Sequence, residues 1–208
     1  MHHQLNIAIE NTFNTNQNLT SMKKAVVIVL AIFVIVSCTN QNNPQITIDN
    51  KSSDTTSAVV RGEYLVNICG CNDCHSPKKM TASGPIPDPE LLMSGHPSNA
   101  KLDSYDSETA LKWLLFTFSG TATKGPWGIS FAANITPDTT GIGTWTETQF
   151  ISALKHGNYR GVEGARKLLP PMPWMNYSKM TDDDVKAIFA YLKTIKPVKN
   201  IVPEPIAP

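Results

Sequence analysis

The chain has 208 residues, 41% of them hydrophobic, and its 18 basic and 17 acidic residues give a formal net charge of +1. This length allows one ordinary domain with additional segments. Because neither sign of charge dominates, the composition does not indicate nucleic acid as a partner.

The first patterned stretch is an export signal. Two lysines at 23–24 precede a run of twelve apolar residues, 25–36, which ends at Ser37 and Cys38. Twelve residues are too few to span a bilayer comfortably and match the core of a signal peptide. The end of the run resembles a bacterial lipobox, so we expect 22–37 to be removed and Cys38 to be lipidated. The alternative is an uncleaved anchor helix with a chance cysteine, and both place the remainder outside the cytoplasm.

The segments on either side of this signal are polar. Residues 1–21 are rich in Asn and Thr and lack signal character, so we expect Met22 to be the true start and 1–21 to be a non-native extension. After Cys38, the chain to residue 57 has few apolar residues and no periodicity, which predicts a flexible tether over 38–57.

The next part of the chain combines one helix with long irregular stretches. Residues 58–69 are expected to form a helix, in which Gly62 would let another backbone come close. Residues 76–106 contain five prolines and are predicted to be irregular. Residues 107–118 suit a helix or a strand, and 120–143 is expected to be a loop.

Two further helices have clear start signals. Thr146 and Gln149 match a capping box, and Gly157 is a natural stop. Thr181 is expected to cap the last helix, over 181–195, because three aspartates follow it and favour a helix N-terminus. The region between these helices is predicted to be a loop, and the Pro-rich residues 199–208 are predicted to be an extended tail.

The strongest chemical signal is Cys-Asn-Asp-Cys-His at 71–75. This spacing is typical of covalent c-type haem attachment, in which the thiols of Cys71 and Cys74 add to two vinyl groups and His75 supplies a proximal nitrogen to iron. A zinc site would need a second ligand pair, and a redox dithiol would need a βαβ pattern. Cys69 is interpreted as a small apolar core residue, with a spare reactive thiol as the alternative.

The predicted fold class is all-α, with three to four helices, long loops and no convincing sheet. Irregular chain of this extent is not expected to be stable by its own packing. A covalently attached apolar haem would supply the missing core of a domain over residues 58–198.

Several side chains are candidates for the sixth iron position. Met172 is favoured because prolines 170, 171 and 173 restrict its loop, as a rigid ligand requires. A thioether on iron raises the reduction potential and closes the site to other ligands. An open site remains an alternative. The other candidate ligands are Met80, Met93, Met175, Met180, His96 and His156.

A set of motifs extends over the exported part of the chain. These are Gly-Glu-Tyr-Leu at 62–65, the haem motif through Lys78, residues 91–97, Asn-Ile-Thr-Pro-Asp at 134–138 with Gly-Ile-Gly at 141–143, and Pro-Met-Pro-Trp at 171–174 with the helix that follows. Together they resemble the class I cytochrome c superfamily, and more closely the bacterial haem c modules of periplasmic dehydrogenase electron-transfer chains. Many such relatives carry two or three haem motifs, whereas this sequence has one.

The resemblance implies a cytochrome c fold around one haem c, with Met172 as the distal axial ligand opposite His75. It implies that Gly62 and Tyr64 meet the region of residues 191–192 where the first and last helices cross.

The resemblance also implies surroundings for the haem. A Pro carbonyl, mapped here to Pro85, would accept a hydrogen bond from the proximal histidine. Trp127, Asn134 and Trp174 would line the haem or meet its propionates, with core packing as the alternative.

We therefore predict an exported, lipid-anchored carrier of single electrons that is not itself an enzyme. Its partners would be redox proteins and, through the anchor, the membrane, with no small-molecule substrate. The first alternative is a haem enzyme or a gas- or peroxide-binding protein with a labile or open sixth site, where His96 or Arg166 would be the polar distal group. The second is a structural subunit of a dehydrogenase complex.

Peptide mapping of the native protein tests the N-terminal predictions. We expect no peptide from residues 1–37 and a lipid-modified peptide that begins at Cys38. A peptide from within residues 1–21 would contradict a start at Met22.

Overall fold

The computed structural model describes the backbone of residues 50–208 and the side chains from residue 54 onward. The predicted extension over 1–21, the signal over 22–37 and the lipidation of Cys38 lie outside the described residues. In the part that is described, no helix combines the length and the apolar character needed to cross a membrane.

Residues 50–208 contain three longer helices and three short ones. They are α1 Asn50–Ile68, α2 Cys71–His75, α3 Ser107–Ala110, α4 Glu147–His156, α5 Trp174–Tyr177 and α6 Asp182–Leu192, with a 3-10 turn at Tyr159–Gly161. The three longer helices correspond to those expected from the sequence.

Helix α1 begins at Asn50 rather than at residue 58, so the predicted tether is wrong for residues 50–57. The side chains of residues 54–57 are exposed. Once a helix is nucleated, each further residue adds a backbone hydrogen bond for a small entropic cost. The packed part of α1 therefore extends into polar residues that have no apolar period of their own.

The predicted starts of α4 and α6 are confirmed. Thr146 Oγ1 accepts a hydrogen bond from the Gln149 backbone N–H at 3.2 Å, and Gln149 Oε1 accepts one from the Thr146 N–H at 2.9 Å. Thr181 Oγ1 accepts from the Asp184 N–H at 3.1 Å. Helix α6 ends at Leu192, earlier than predicted.

The prediction that the chain has no sheet is wrong. Strands β1 Lys78–Thr81 and β2 Gly84–Pro87 form an antiparallel pair, and β3 Leu115–Phe116, β4 Ala122–Gly125 and β5 Gly128–Phe131 form an antiparallel sheet in that order. Strands of two to four residues offer too few positions for a period of two to be recognised. The cytochrome c fold expected from the resemblance is thus only partly all-α.

Residues 107–118 divide between the two predicted alternatives. They begin with the single turn of α3, whose cap is Asp106, with its carboxylate accepting from the Thr109 N–H at 2.7 Å. They end in the short strand β3, which pairs with β4.

Helices α1 and α6 cross closely at Gly62, as predicted. A Cβ atom built on Gly62 would lie 1.9 Å from the Ala187 carbonyl oxygen and 2.8 Å from Tyr191 Cβ. Tyr64 does not share this burial, because it is 54% exposed with the Arg61 guanidinium 5.5 Å from its ring centroid. The core around the crossing consists of Leu65, Val66, Met93, Ile142, Phe150, Val185, Ala187, Ile188 and Leu192.

The C-terminal segment lacks a helix, but it is an integral part of the domain. Ile206 and Ile129 of β5 exchange two backbone hydrogen bonds, at 2.8 and 3.0 Å. Buried Asn200 donates to the carbonyl oxygens of Ser94 and His96, at 2.7 and 2.8 Å. The domain boundary predicted at residue 198 is therefore too early.

Substitution of Gly62 by Ala tests the helix crossing. We expect Gly62→Ala to lower the free energy of unfolding of the holoprotein by about 2–3 kcal/mol, because the new methyl group meets backbone atoms that cannot rotate away. Denaturant titration measures this change. Glu63→Ala, at the neighbouring exposed position, is the control, and an equal loss in both variants would contradict the close crossing.

Candidate haem site

Helix α2 contains the three predicted haem-attachment residues. It begins after Gly70, and Cys71, Cys74 and His75 all lie within its five residues. Neither cysteine is in a disulfide, and Cys71 also packs against the core. Burial is the main cause that raises the pKa of Cys71 to about 12, and burial likewise raises the pKa of Cys74.

Lys78 closes the C-terminal end of α2. Its ammonium group donates to the carbonyl oxygens of Asn72, Asp73 and Ser76, at 2.8, 3.1 and 2.7 Å. A cation here satisfies carbonyl groups that have no partner within the helix and interacts favourably with the helix dipole. The geometry of α2 thus depends on Lys78, which lies three residues after His75, the last residue of the helix.

The imidazole of His75 is oriented by one backbone group. Its Nδ1 lies 2.8 Å from the carbonyl oxygen of Ala133, so Nδ1 carries the proton and donates it. Burial lowers the pKa of His75, and this hydrogen bond partly offsets that effect. The other ring nitrogen, Nε2, makes no hydrogen bond with residues 54–208. A neutral histidine whose Nδ1–H is held by a carbonyl presents the Nε2 lone pair to a metal.

The identity of the acceptor corrects the prediction made for Pro85. Pro85 lies exposed on β2 opposite Met80, because the β1–β2 hairpin takes it into that strand pair. Ala133 takes the expected position because its segment lies beside the chain that follows the haem motif. The backbone N–H of His96 donates to the Ala132 carbonyl at 2.9 Å.

The neighbouring segment also contacts His75 directly. The Gly95 N–H donates to the His75 carbonyl oxygen at 2.8 Å. Gly95 has a positive φ of 76°, and a Cβ atom there would lie 2.5 Å from backbone atoms of Ala132 and Ala133. Only glycine suits both this conformation and this close approach.

Asn134 is a structural residue that holds the Ala133 segment. It is 5% exposed. Its Oδ1 accepts from Thr136 N–H and Oγ1 at 2.9 and 2.7 Å, and its Nδ2 donates to the Val198 carbonyl at 2.8 Å. Longer bonds reach Thr140 Oγ1 and the Asn200 carbonyl, at 3.2 and 3.3 Å. Core packing, the alternative predicted for Asn134, therefore describes this residue. Asn134 affects the haem site by holding the neighbouring Ala133 carbonyl in place.

The loop that contains Met172 is held from β5. Ser130 Oγ donates to the Pro170 carbonyl at 2.6 Å, and the Trp127 indole N–H donates to Ser130 Oγ at 3.3 Å. Within the loop, the Trp174 N–H donates to the Met172 carbonyl at 2.9 Å. The loop begins two residues after Leu168, whose N–H donates to the Gly157 carbonyl at 2.7 Å.

The environments of the other methionines narrow the choice of a sixth ligand. Met93 is 3% exposed in the core, and Met180 packs against that core, which suits its position before the cap of α6. Met80 on β1 and Met175 on α5 are 64% and 67% exposed. Met172 has intermediate exposure within a loop held at several points. Its ligation of iron stays a prediction.

The two tryptophans predicted near the haem have defined packing contacts. The Trp127 ring lies against Gly125 within the β4–β5 hairpin, and the Trp174 ring lies against Gly157 at the end of α4. The Lys167 ammonium is 5.5 Å from the Trp174 ring centroid. Direct contact of either indole with haem stays a prediction.

The residues considered for a polar distal side have protein partners. His96 is 3% exposed, with Nδ1 2.9 Å from Thr121 Oγ1, and burial lowers its pKa. The Arg166 guanidinium lies 3.7 Å from the Tyr159 ring centroid and donates to the Lys167 carbonyl at 3.1 Å. His156 is exposed at the last position of α4.

Cys69 contributes a backbone group to the site. Its carbonyl accepts a hydrogen bond from the Tyr177 hydroxyl at 3.2 Å, and its half-buried thiol has a pKa raised by burial and by Asp184. Burial also raises the pKa of Tyr177 to about 12. The hydroxyl is thus a permanent donor from α5 to the residue two positions before Cys71.

Five residues that build the site have no predicted role in it from the sequence: Lys78, Ala133, Ser130, Tyr177 and Asn200. Only Lys78 carried a usable signal, as a basic residue just after a short helix. Ala133, through its backbone, and the three others act on partners that are distant in sequence, so no local pattern marks them.

The donor set fits a covalently attached haem. Cys71 and Cys74 offer two unpaired thiols on one short helix, and His75 offers Nε2 in the tautomer that binds iron. The Ala133 carbonyl, which accepts the Nδ1 proton, is the kind of support expected for a histidine that binds metal.

Comparison with known proteins gives a family match over most of the described domain. The model of the Cytochrome c family matches residues 59–196. The match begins within α1 and ends after α6, so it includes α2 and the loop of Met172.

Three relatives are cytochrome subunits of dehydrogenases. The Fructose dehydrogenase cytochrome subunit of Gluconobacter japonicus is 45% identical over 85 residues, which is 40% of this chain and 17% of that protein. The Alcohol dehydrogenase (quinone) cytochrome c subunit of Gluconacetobacter polyoxogenes is 35% identical over 119 residues, 56% and 25% of the two chains. The Gluconate 2-dehydrogenase cytochrome c subunit of Pantoea cypripedii is 30% identical over 144 residues, 69% and 24%. The alignments thus span a quarter or less of these relatives.

Substitution of Asn134 tests the support of the proximal side. We expect Asn134→Ala to lower the free energy of unfolding of the holoprotein by about 2–4 kcal/mol, because buried backbone groups of residues 136 and 198 lose their partner. Thermal or denaturant unfolding measures the loss. Asn176→Ala is the control at an exposed position, where we expect a change within about 0.5 kcal/mol. Equal effects in both variants would contradict this role.

Proposed function

Because this chain belongs to the cytochrome c family, whose members carry covalently attached haem c, we propose that it carries single electrons with His75 and Met172 as the two axial iron ligands. Haem c supplies an iron centre that is oxidised and reduced by one electron. The residues of this chain hold that centre, exclude competing ligands and set its surroundings.

The observation that carries the proposal is the hydrogen bond from His75 Nδ1 to the Ala133 carbonyl, 2.8 Å long. It selects the tautomer with a free Nε2 and prevents rotation of the ring. A ligand held in this way changes its position little between ferric and ferrous iron, which favours rapid electron transfer over catalysis.

Three features support Met172 as the second ligand. Its loop is restricted by the prolines at 170, 171 and 173. The Ser130 hydroxyl binds the Pro170 carbonyl at the start of this loop, and the Tyr177 hydroxyl binds the Cys69 carbonyl just before the haem motif. Of the other methionines, Met93 and Met180 are used in core packing.

The alternative of a haem enzyme or a gas- or peroxide-binding protein has less support. It would need a polar distal group free to act on a bound ligand. Of the residues considered for this role, His96 bonds Thr121 and Arg166 stacks on Tyr159.

The relatives suggest the class of redox partner. Since they are cytochrome subunits of dehydrogenases, we propose that this chain accepts electrons from a dehydrogenase and delivers them to another redox protein. From the sequence signals we further propose that it is exported and anchored through lipidated Cys38, facing the periplasm or the cell exterior.

Substitution of Met172 tests the proposed function. We expect ferric wild-type holoprotein to show the weak long-wavelength sulfur-to-iron band and Met172→Ala to lose it. We also expect Met172→Ala to bind cyanide at least about tenfold more tightly, since a competing ligand worth ~1.4 kcal/mol or more is removed. Absorption spectroscopy and cyanide titration measure both effects.

Met175→Ala is the matched control, three residues further along the same segment, and should retain the band. A high-spin wild-type spectrum that changes directly on addition of cyanide to the ferric protein, or of CO to the ferrous protein, would overturn the proposal and favour the alternative.

A further inference from the structure

We propose that Ser130 and Tyr177 are positioning residues whose hydroxyl groups hold the Met172 loop in place for iron ligation. This inference rests on the proposed function, in which the Met172 sulfur is an axial ligand. The Ser130 hydroxyl binds the first residue of the segment 170–177, and the hydroxyl of Tyr177, its last residue, binds Cys69 in another part of the chain.

The first hydroxyl fixes the beginning of the loop. Ser130 Oγ lies 2.6 Å from the Pro170 carbonyl oxygen and 3.5 Å from that of Thr123, so its single hydrogen serves the bond to Pro170. Ser130 is 8% exposed and accepts the Trp127 indole N–H at 3.3 Å. Its strand, β5, is itself paired on one side with β4 and bridged to Ile206. The loop is thus bound to a supported strand.

The second hydroxyl fixes the end of the loop against the proximal side. Tyr177 Oη donates to the Cys69 carbonyl at 3.2 Å, across 108 residues of sequence. The Cys69 N–H in turn donates to the Leu65 carbonyl at 2.9 Å, which connects it to α1. This bond links the segment of Met172 directly to the residues that lead into Cys71.

Between these two points the segment consists of the residues around Met172 followed by the single turn of α5. The Trp174 N–H donates to the Met172 carbonyl at 2.9 Å, and the Ser178 N–H donates to the Trp174 carbonyl at 2.8 Å. Displacement of the Met172 sulfur requires this short segment to move away. Loss of either hydroxyl releases one end of the segment and lowers the free energy needed to move it.

Cyanide binding to the ferric holoprotein measures this movement, because cyanide reaches the sixth position only after the Met172 sulfur has left it. The test variants are Ser130→Ala and Tyr177→Phe. We expect each to bind potassium cyanide about three- to tenfold faster than wild type, the range for one lost hydrogen bond. The long-wavelength sulfur-to-iron band should persist in both variants.

Two matched controls remove hydroxyls whose bonds do not connect residues 170–177 to another part of the chain. Tyr159→Phe removes a hydroxyl that contacts exposed Glu204 at 3.3 Å, and Ser178→Ala removes one that donates locally to the Met175 carbonyl at 2.7 Å. We expect less than a twofold change in the cyanide rate for either. The free energy of unfolding is measured for all four variants. If the two hydroxyls position the loop, a test variant binds cyanide faster than a control variant that has lost the same free energy of unfolding.

The outcomes separate this inference from the proposed function. If the wild type shows the band and Met172→Ala loses it, but Ser130→Ala and Tyr177→Phe match their controls, the positioning role is overturned while the function stands. If the wild type lacks the band, the proposed ligation itself fails. Should Ser130→Ala not fold, Ser130→Cys replaces the hydroxyl by a thiol, a much weaker donor, and its cyanide rate should also exceed that of wild type. A rate equal to that of wild type would overturn the role of Ser130.

Discussion

The hydrogen bond between His75 Nδ1 and the Ala133 carbonyl is the constraint on which the rest of the proximal side depends. It holds only if a backbone segment 58 residues away lies beside the haem-attachment helix. That segment is fixed by the buried amide of Asn134, which in turn needs the carbonyl of Val198. The orientation of one imidazole therefore draws on the middle and the end of the chain.

The distal side is built in a different way. The proximal support consists of buried backbone groups joined through Asn134 and Asn200, with many mutually dependent hydrogen bonds. The Met172 loop is instead restricted by its own prolines and connected to the rest of the domain by the hydroxyl groups of Ser130 and Tyr177, the first of which also accepts the Trp127 indole N–H. If Met172 is the distal ligand, as proposed, the histidine and the more weakly bound thioether thus have supports of different strength.

The sequence predicts the parts of this molecule that depend on neighbouring residues. Haem attachment at 71–75 and the caps at Thr146 and Thr181 follow from local chemistry, and the cap geometry agrees with it. The short strands are not predicted, because two to four residues are too few to show the alternation of apolar and polar side chains that marks a strand. The partner of His75 was misassigned to Pro85, since an acceptor carbonyl is present at every residue and only the folded chain selects Ala133. Cys69, interpreted from the sequence as an apolar core residue, is only half-buried and contributes through a backbone oxygen that sequence patterns do not distinguish.

The close approach of α1 and α6 at Gly62 has a consequence for how the domain assembles. The two helices lie at opposite ends of the described chain, and Arg61 and Asp184, 3.0 Å apart, are separated by 123 residues. Closing loops of this size is entropically slow compared with forming a local helix. The two thiols and the imidazole of 71–75, by contrast, are contiguous and can meet a porphyrin while the chain is still unfolded. Covalent attachment therefore does not have to wait for the fold, whereas the proposed ligation by Met172 does. A bound porphyrin is then available as a nucleus around which the two ends of the domain come together.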